Sequence, residues 1–154
     1  MIISLVRHAK AASRRSWSEP DIDRPLDEKG HDQARTIAEL LGRRPVGRLL
    51  SSPAVRCCQT VGPLAGRLGL PLELHDALAE GARGDRALEL VDALAAGGAD
   101  AVLCSHGDVI PEVIDRLTGR GVPLHGPRAC AKGSMWDLDV RDGVIVAARY
   151  LPLP

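Results

Sequence analysis

The chain has 154 residues, which at about 150 residues per domain predicts one domain, residues 1–154, with a core of its own. A 45% hydrophobic content with 16 glycines and 11 prolines excludes a disordered or collagen-like polymer. Twenty basic residues balance 20 acidic ones, and two tryptophans and one tyrosine are the only aromatics. Neither the basic surplus nor the stacking platform of a nucleic-acid binder is present.

No apolar run approaches the roughly 18 residues of a membrane span, so no membrane partner is expected. Residues 1–6 are apolar but lead straight into Arg7 and His8 without a basic leader, and read as a strand rather than a signal peptide. Cys57, Cys58, Cys104 and Cys130 form no C-x-x-C pair. Reduced, mostly buried thiols in a cytoplasmic protein are expected.

In chain order, residues 1–6 suit a strand buried on both faces, and residues 9–26 a polar loop. Asp27 is placed to cap a helix reaching about residue 41, with Ala34, Ile37, Ala38 and Leu41 on one face. Residues 47–50 form a second strand. Ser52 and Pro53 read as a cap followed by proline at the first helical position. They open a helix to about residue 68, bent at Pro63. A strand at 72–74 and a loop at 81–84 precede a helix over 85–96, ended by Gly97-Gly98. Residues 101–104 make a further strand. Residues 108–117 make a helix with Ile110, Val113, Ile114 and Leu117 on one face. Residues 131–151 make two strands that turn near Asp142-Gly143.

Strands that alternate with helices require crossovers. The expected fold class is therefore α/β, a three-layer α/β/α sandwich with a mostly parallel central sheet. In such folds ligands bind outside the carboxyl ends of the strands. Three of these ends carry reactive residues: Arg7-His8, Ser51-Ser52 and Ser105-His106. A helix starting near Pro53 offers free N–H groups and a positive dipole end to an anion, and Arg56 lies just inside it with a planar fork of donors suited to phosphate. Two histidines and two arginines at one sheet edge make a phosphate pocket with a built-in nucleophile. A neutral imidazole attacks phosphorus, and the surrounding cations meet the charge on the transferred group.

This constellation resembles the histidine phosphatase superfamily, with its phosphoglycerate-mutase-like fold. The R-H-G signature reads Arg7-His8-Ala9 here, with alanine in place of glycine. The resemblance continues through Arg24-Pro25-Leu26, Gly30, Gln33-Ala34, Ser51 to Arg56, Gln59-Thr60, Ala79-Glu80-Gly81 and Ser105-His106. The short length and the stretch from Asp23 to Leu26 are similar to the small SixA-type phosphatases. Residues 104–111 and 131–134 are similar to the phosphatase domain fused to actinobacterial MutT-type Nudix proteins, and no Nudix domain is present in this sequence.

The resemblance implies that His8 is the nucleophile, passing through a phosphohistidine. It implies that Arg7, Arg56 and His106 hold the phosphoryl oxygens, and that Glu80 is the general acid and base. Ser52, Lys10 and Lys132 are candidate substrate contacts. Lys10, Arg14 and Arg15 suit a polyphosphate or an acidic protein surface. Asp108 reads as a cap for the helix after His106, and His31, His75 and His125 as surface residues. The expected activity is metal-independent hydrolysis of a phosphomonoester or phosphoramidate, with no cofactor. The expected partner is a phosphohistidine protein or, alternatively, a nucleotide or other phosphorylated small molecule. Oligomeric state is not legible.

Competing readings fare worse. A zinc hydrolase lacks H-E-x-x-H or tight His/Cys spacing. A P-loop is broken by Ala131, and no cysteine sits at a predicted phosphate loop. A mutase needs a larger cover than the intervals from Arg56 to Glu80 and from Glu80 to His106 allow. A phosphate-binding module without activity is opposed by the intact His8, Arg7, Arg56 and His106.

Overall fold

The computed structural model describes residues 1–154. Seven strands, β1 (Ile2–Arg7), β2 (Val46–Ser51), β3 (Leu72–Leu74), β4 (Asp100–Ser105), β5 (Leu124–His125), β6 (Met135–Arg141) and β7 (Val144–Leu151), form one sheet. Its order is β3-β2-β4-β1-β6-β7-β5, and β6 alone runs against the others. The helices are α1 (Glu28–Leu41), α2 (Val55–Leu68), α3 (Gly84–Gly97) and α4 (Val109–Gly119). The expected three-layer α/β architecture with a mostly parallel sheet is the observed one.

Alternation along the strands decides which helices cover which face. Ile3, Leu5, Leu50 and Leu103 pack with α3 and α4, whereas Val6, Leu49, Val102 and Cys104 pack with α1 and α2. The central strands β1 and β4 are thus buried on both faces, as their apolar runs require. The β6–β7 hairpin turns on two residues, Asp142 and Gly143, both at positive φ, the geometry that matches the twist of paired strands.

Several boundaries differ from the sequence reading. Helix α2 begins at Val55, not Pro53, and has no side-chain cap. The Ser52 hydroxyl accepts from the Ala54 N–H at 3.2 Å, which leaves Pro53 in the lead-in. Helix α3 starts one residue early because Glu112, from α4, accepts the Gly84 N–H at 2.5 Å. Strand β5 has two residues, too few to carry a periodic signal. Pro63 sits inside a continuous α2.

The long loop after β1 is tied down along its length. Ala9 N–H donates to the Thr60 hydroxyl at 2.9 Å, and Leu26 N–H to the Gln59 side-chain oxygen at 2.8 Å. Asp27 accepts the Gly30 N–H and so caps α1 as expected, while its own N–H donates to the Lys10 carbonyl. Gly30 permits this approach, because a Cβ there would lie 1.9 Å from the Lys10 carbonyl oxygen.

Candidate active site

The three reactive strand ends are neighbours in the sheet. Arg7 is in register with Ser105, and Ser51 with Cys104. His8 N–H donates to the Ser105 carbonyl at 3.0 Å, and Ser52 N–H to the Cys104 carbonyl at 2.9 Å. The carboxyl edge of β2, β4 and β1 therefore presents Ser52, His106 and His8 side by side.

His8 is buried, with 6% of its surface exposed. Its Nδ1 lies 2.8 Å from the Ala9 carbonyl oxygen. A carbonyl only accepts, so Nδ1 carries the proton and Nε2 keeps its lone pair. Burial lowers the pKa of the ring to about 3, and the charges of Arg56 and Arg7 act in the same direction, against the hydrogen bond to Ala9. The ring is neutral at pH 7, as a nucleophile must be.

His106 lies edge-on to His8 with ring centroids 5.4 Å apart. Its Nε2 is 2.8 Å from the Ser52 hydroxyl, and its Nδ1 is 3.5 Å from Arg56 Nη2. Arginine only donates, so Nδ1 accepts and Nε2–H donates to Ser52. The two histidines hold opposite tautomers.

The arginines are held from several directions. Arg7 Nη1 donates to the Cys130 carbonyl at 2.6 Å. Its guanidinium lies over Gly107, where a Cβ would come 2.7 Å from Arg7 Cζ. Arg56 is 1% exposed and donates to the Asp21 carbonyl at 2.9 Å and to Glu80 Oε2 at 2.8 Å. Arg7 Nε and Arg56 Nε are the only buried side-chain polar atoms in the molecule without a hydrogen-bond partner. An orphan donor costs about 1–3 kcal/mol. Finding both at this edge marks it as a place where stability is given up for anion recognition.

A cavity of about 690 Å³ opens here, lined among others by Arg7, His8, Lys10, Glu80, His106 and Lys132. Six of the eight sequence candidates thus share one space. Arg56 and Ser52 line an adjoining cavity of about 180 Å³, which shares Glu80 with the first and meets it at His106. Ser52, expected at the substrate, orients His106 instead, because the residue is 1% exposed and its hydroxyl faces the imidazole. Glu80 spans both cavities, with one oxygen on Arg56 and the other 3.0 Å from Arg14 Nη2.

Sequence reasoning missed three residues here. Arg24, noted only as part of a motif, is 6% exposed and lines the large cavity. It donates to Asp21 at 2.9 Å and to the Ala12 carbonyl at 2.8 Å. The spacing of Asp21 and Arg24, three apart, was the available signal. Asp21 in turn lies 3.2 Å from Arg56 Nη2. Its carboxyl is lowered below the usual range chiefly by the hydrogen bond from Arg24. Asp108 makes no side-chain cap on α4. It accepts the Gly81 N–H at 2.8 Å and pins the loop that carries Glu80.

Cys57 is fully buried with Sγ 3.5 Å from His106 Nε2, behind the cavity wall, and all four cysteines are free thiols. No three His, Cys, Asp or Glu side chains cluster as a metal site. No helix is long and apolar enough to cross a membrane.

The family model of the histidine phosphatase superfamily, branch 1, matches residues 3–87. The chain belongs to that superfamily. It is 32% identical over 99% of its length to the 8-oxo-(d)GTP phosphatase of Mycolicibacterium smegmatis, and spans 48% of that protein's length. Among solved structures it is similar to a chain of Agrobacterium tumefaciens assigned as phosphohistidine phosphatase SixA (28% identity, TM-score 0.72, 90% of each chain). It also shares its fold with the protein histidine phosphatase SixA complexed with tungstate (22% identity, TM-score 0.77, 99% of this chain and 95% of that one). A mycobacterial glucosyl-3-phosphoglycerate phosphatase is alike in fold as well (21% identity, TM-score 0.71, 97% and 96%). The superfamily motifs read from the sequence thus converge on one edge of the sheet.

Proposed function

We propose that the protein is a metal-independent phosphatase that hydrolyses a phosphomonoester or phosphoramidate through a phosphohistidine on His8. The observation that carries this reading is the state of the His8 ring. It is buried and neutral, with its proton committed to the Ala9 carbonyl and its Nε2 lone pair free. Attack by Nε2 on phosphorus leaves a ring that gains positive charge, which the Ala9 carbonyl at Nδ1 offsets. Arg7 and Arg56 meet the charge of the equatorial oxygens, and His106 is held beside them by Ser52, so the cationic role often filled by a metal falls to side chains. Glu80 is the candidate acid and base, and Lys10 and Lys132 are candidate contacts to the remainder of the substrate.

The two substrate readings of the sequence both find support among relatives. The SixA structures favour a phosphohistidine protein, and the 8-oxo-(d)GTP phosphatase favours a nucleotide.

The test is hydrolysis of p-nitrophenyl phosphate in excess EDTA by wild type and His8→Ala. Wild-type activity that falls by about 10⁴-fold or more in the variant is expected, the scale on which loss of a catalytic nucleophile is felt. A folded His8→Ala protein with undiminished turnover overturns the mechanism, and loss of activity in EDTA overturns metal independence.

A further inference from the structure

The large cavity holds more positive charge than one phosphoryl group uses. Arg24 is more than nine-tenths buried and aimed into the cavity. Its Nε and Nη1 are committed to Asp21 and Ala12, and its Nη2 has no protein partner. Lys132 also lines the cavity and makes no ion pair. The carboxylate near it, Asp27, is already taken by the Gly30 N–H at one oxygen and by Lys10 Nζ at 3.4 Å at the other.

Backbone geometry brings these cations next to the nucleophile. Lys132 precedes Gly133, whose N–H is shared between the Arg7 and His8 carbonyls at 3.1 and 3.2 Å, and Lys10 follows His8 by two residues. Partial burial lowers the pKa of Lys132, and so does the crowding of Arg7, Arg24 and Lys10 around it. Five cationic side chains against three carboxylates line this cavity, and an excess of one sign prepares it for an anion.

We propose that this group forms a second anion site, on Arg24, Lys132 and Lys10, immediately beside the transferred phosphoryl group. The substrate is then a diphosphate monoester, such as a nucleoside diphosphate, cleaved at its terminal phosphoanhydride. The inference rests on the His8 mechanism and names what the transferred group is attached to.

The state of Glu80 points the same way. Both of its oxygens are held by guanidinium groups, so donating a proton requires breaking an ion pair. An alkoxide leaving group needs that proton, but a leaving phosphate, whose second pKa is about 6, departs without it.

The Nε2 lone pair of His8 bonds to the terminal phosphorus, and the bond from that phosphorus to the bridging oxygen breaks. Its electron pair leaves on the shortened phosphate monoester. Water then adds to the phosphorus, the P–N pair returns to Nε2, and orthophosphate and one proton are released.

The experiment is calorimetric binding of orthophosphate and pyrophosphate to the full chain, alongside orthophosphate release from ADP and AMP. Wild type is expected to bind pyrophosphate at least tenfold tighter than orthophosphate and to favour ADP over AMP at least tenfold in kcat/KM. Lys132→Gln is expected to cost pyrophosphate at least fivefold more than orthophosphate, and Lys132→Arg to recover most of that loss. Equal affinity for the two anions in wild type, a preference for AMP, or an equal loss of both anions in Lys132→Gln each overturns the second site. An occupant such as an acidic stretch beside a phosphohistidine gives that first result. These readouts are separate from the His8→Ala comparison, so the second site and the mechanism fail independently.

Discussion

At the bottom of the cavity, His8 and His106 are buried and each ring is fixed by a hydrogen bond, one to a backbone carbonyl and one to a buried hydroxyl. At its mouth, Lys10 is half exposed, held by one ion pair at 3.4 Å, and Lys132 carries none. The floor is thus set by short-range contacts in a water-poor setting, where orientation and tautomer are decided before a ligand arrives. The rim acts through charge that solvent and salt screen. Floor residues should govern turnover on any substrate, and rim residues should govern which substrate is held.

The largest effect that would sharpen this contrast, after loss of His8, is Arg56→Ala. Removing a charge-assisted contact of this kind costs about 10²- to 10³-fold in kcat/KM. Steady-state kinetics and vanadate inhibition should both record it, and unchanged values for both remove Arg56 from the floor. Next is Gly30→Ala, which drives a Cβ into the Lys10 carbonyl. A loss of about 3 kcal/mol in urea unfolding is expected from such overpacking, and a neutral result would show that the loop after His8 is loosely held.

The neutrality of His8 predicts a pH effect of definite sign. Its pKa is lowered from 6.5 to about 3 on folding, so the unfolded chain binds the extra proton between these values. This contribution is complete above pH 6.5 and is lost as pH falls towards 3, at about 1.4 kcal/mol per pH unit inside the window. Unfolding free energies of wild type and His8→Ala across pH 4 to 7 should diverge by that slope, and parallel curves would mean that His8 is solvated.

Ser52→Ala should lower kcat about tenfold on every substrate, the worth of one positioning hydrogen bond of about 1.4 kcal/mol, and shift its pH profile while sparing KM. A change confined to KM would return Ser52 to the substrate. The smallest effect is expected from Lys10→Ala. It should cost less than about fivefold in kcat/KM for p-nitrophenyl phosphate, and less still in 0.5 M salt, as screening of an exposed charge requires. A large, salt-independent loss would break the division between floor and rim.

The order of elements apart from β5, the helix faces and the three reactive strand ends were legible in the sequence by itself. They follow from local rules: apolar periodicity, the Asp27 cap, the Asp142-Gly143 turn and the habit of open sheets to bind at carboxyl edges. The family was legible too, because its motifs are contiguous in the chain. Only the tertiary structure decided that Ser52 serves His106, that Asp108 pins the Glu80 loop rather than capping a helix, and that Arg24, 16 residues beyond His8, lines the same cavity. Each of these is a choice of partner across the fold. A hydroxyl, a carboxylate or a guanidinium takes whichever partner the packed chain brings within about 3 Å, and local sequence carries no record of that distance.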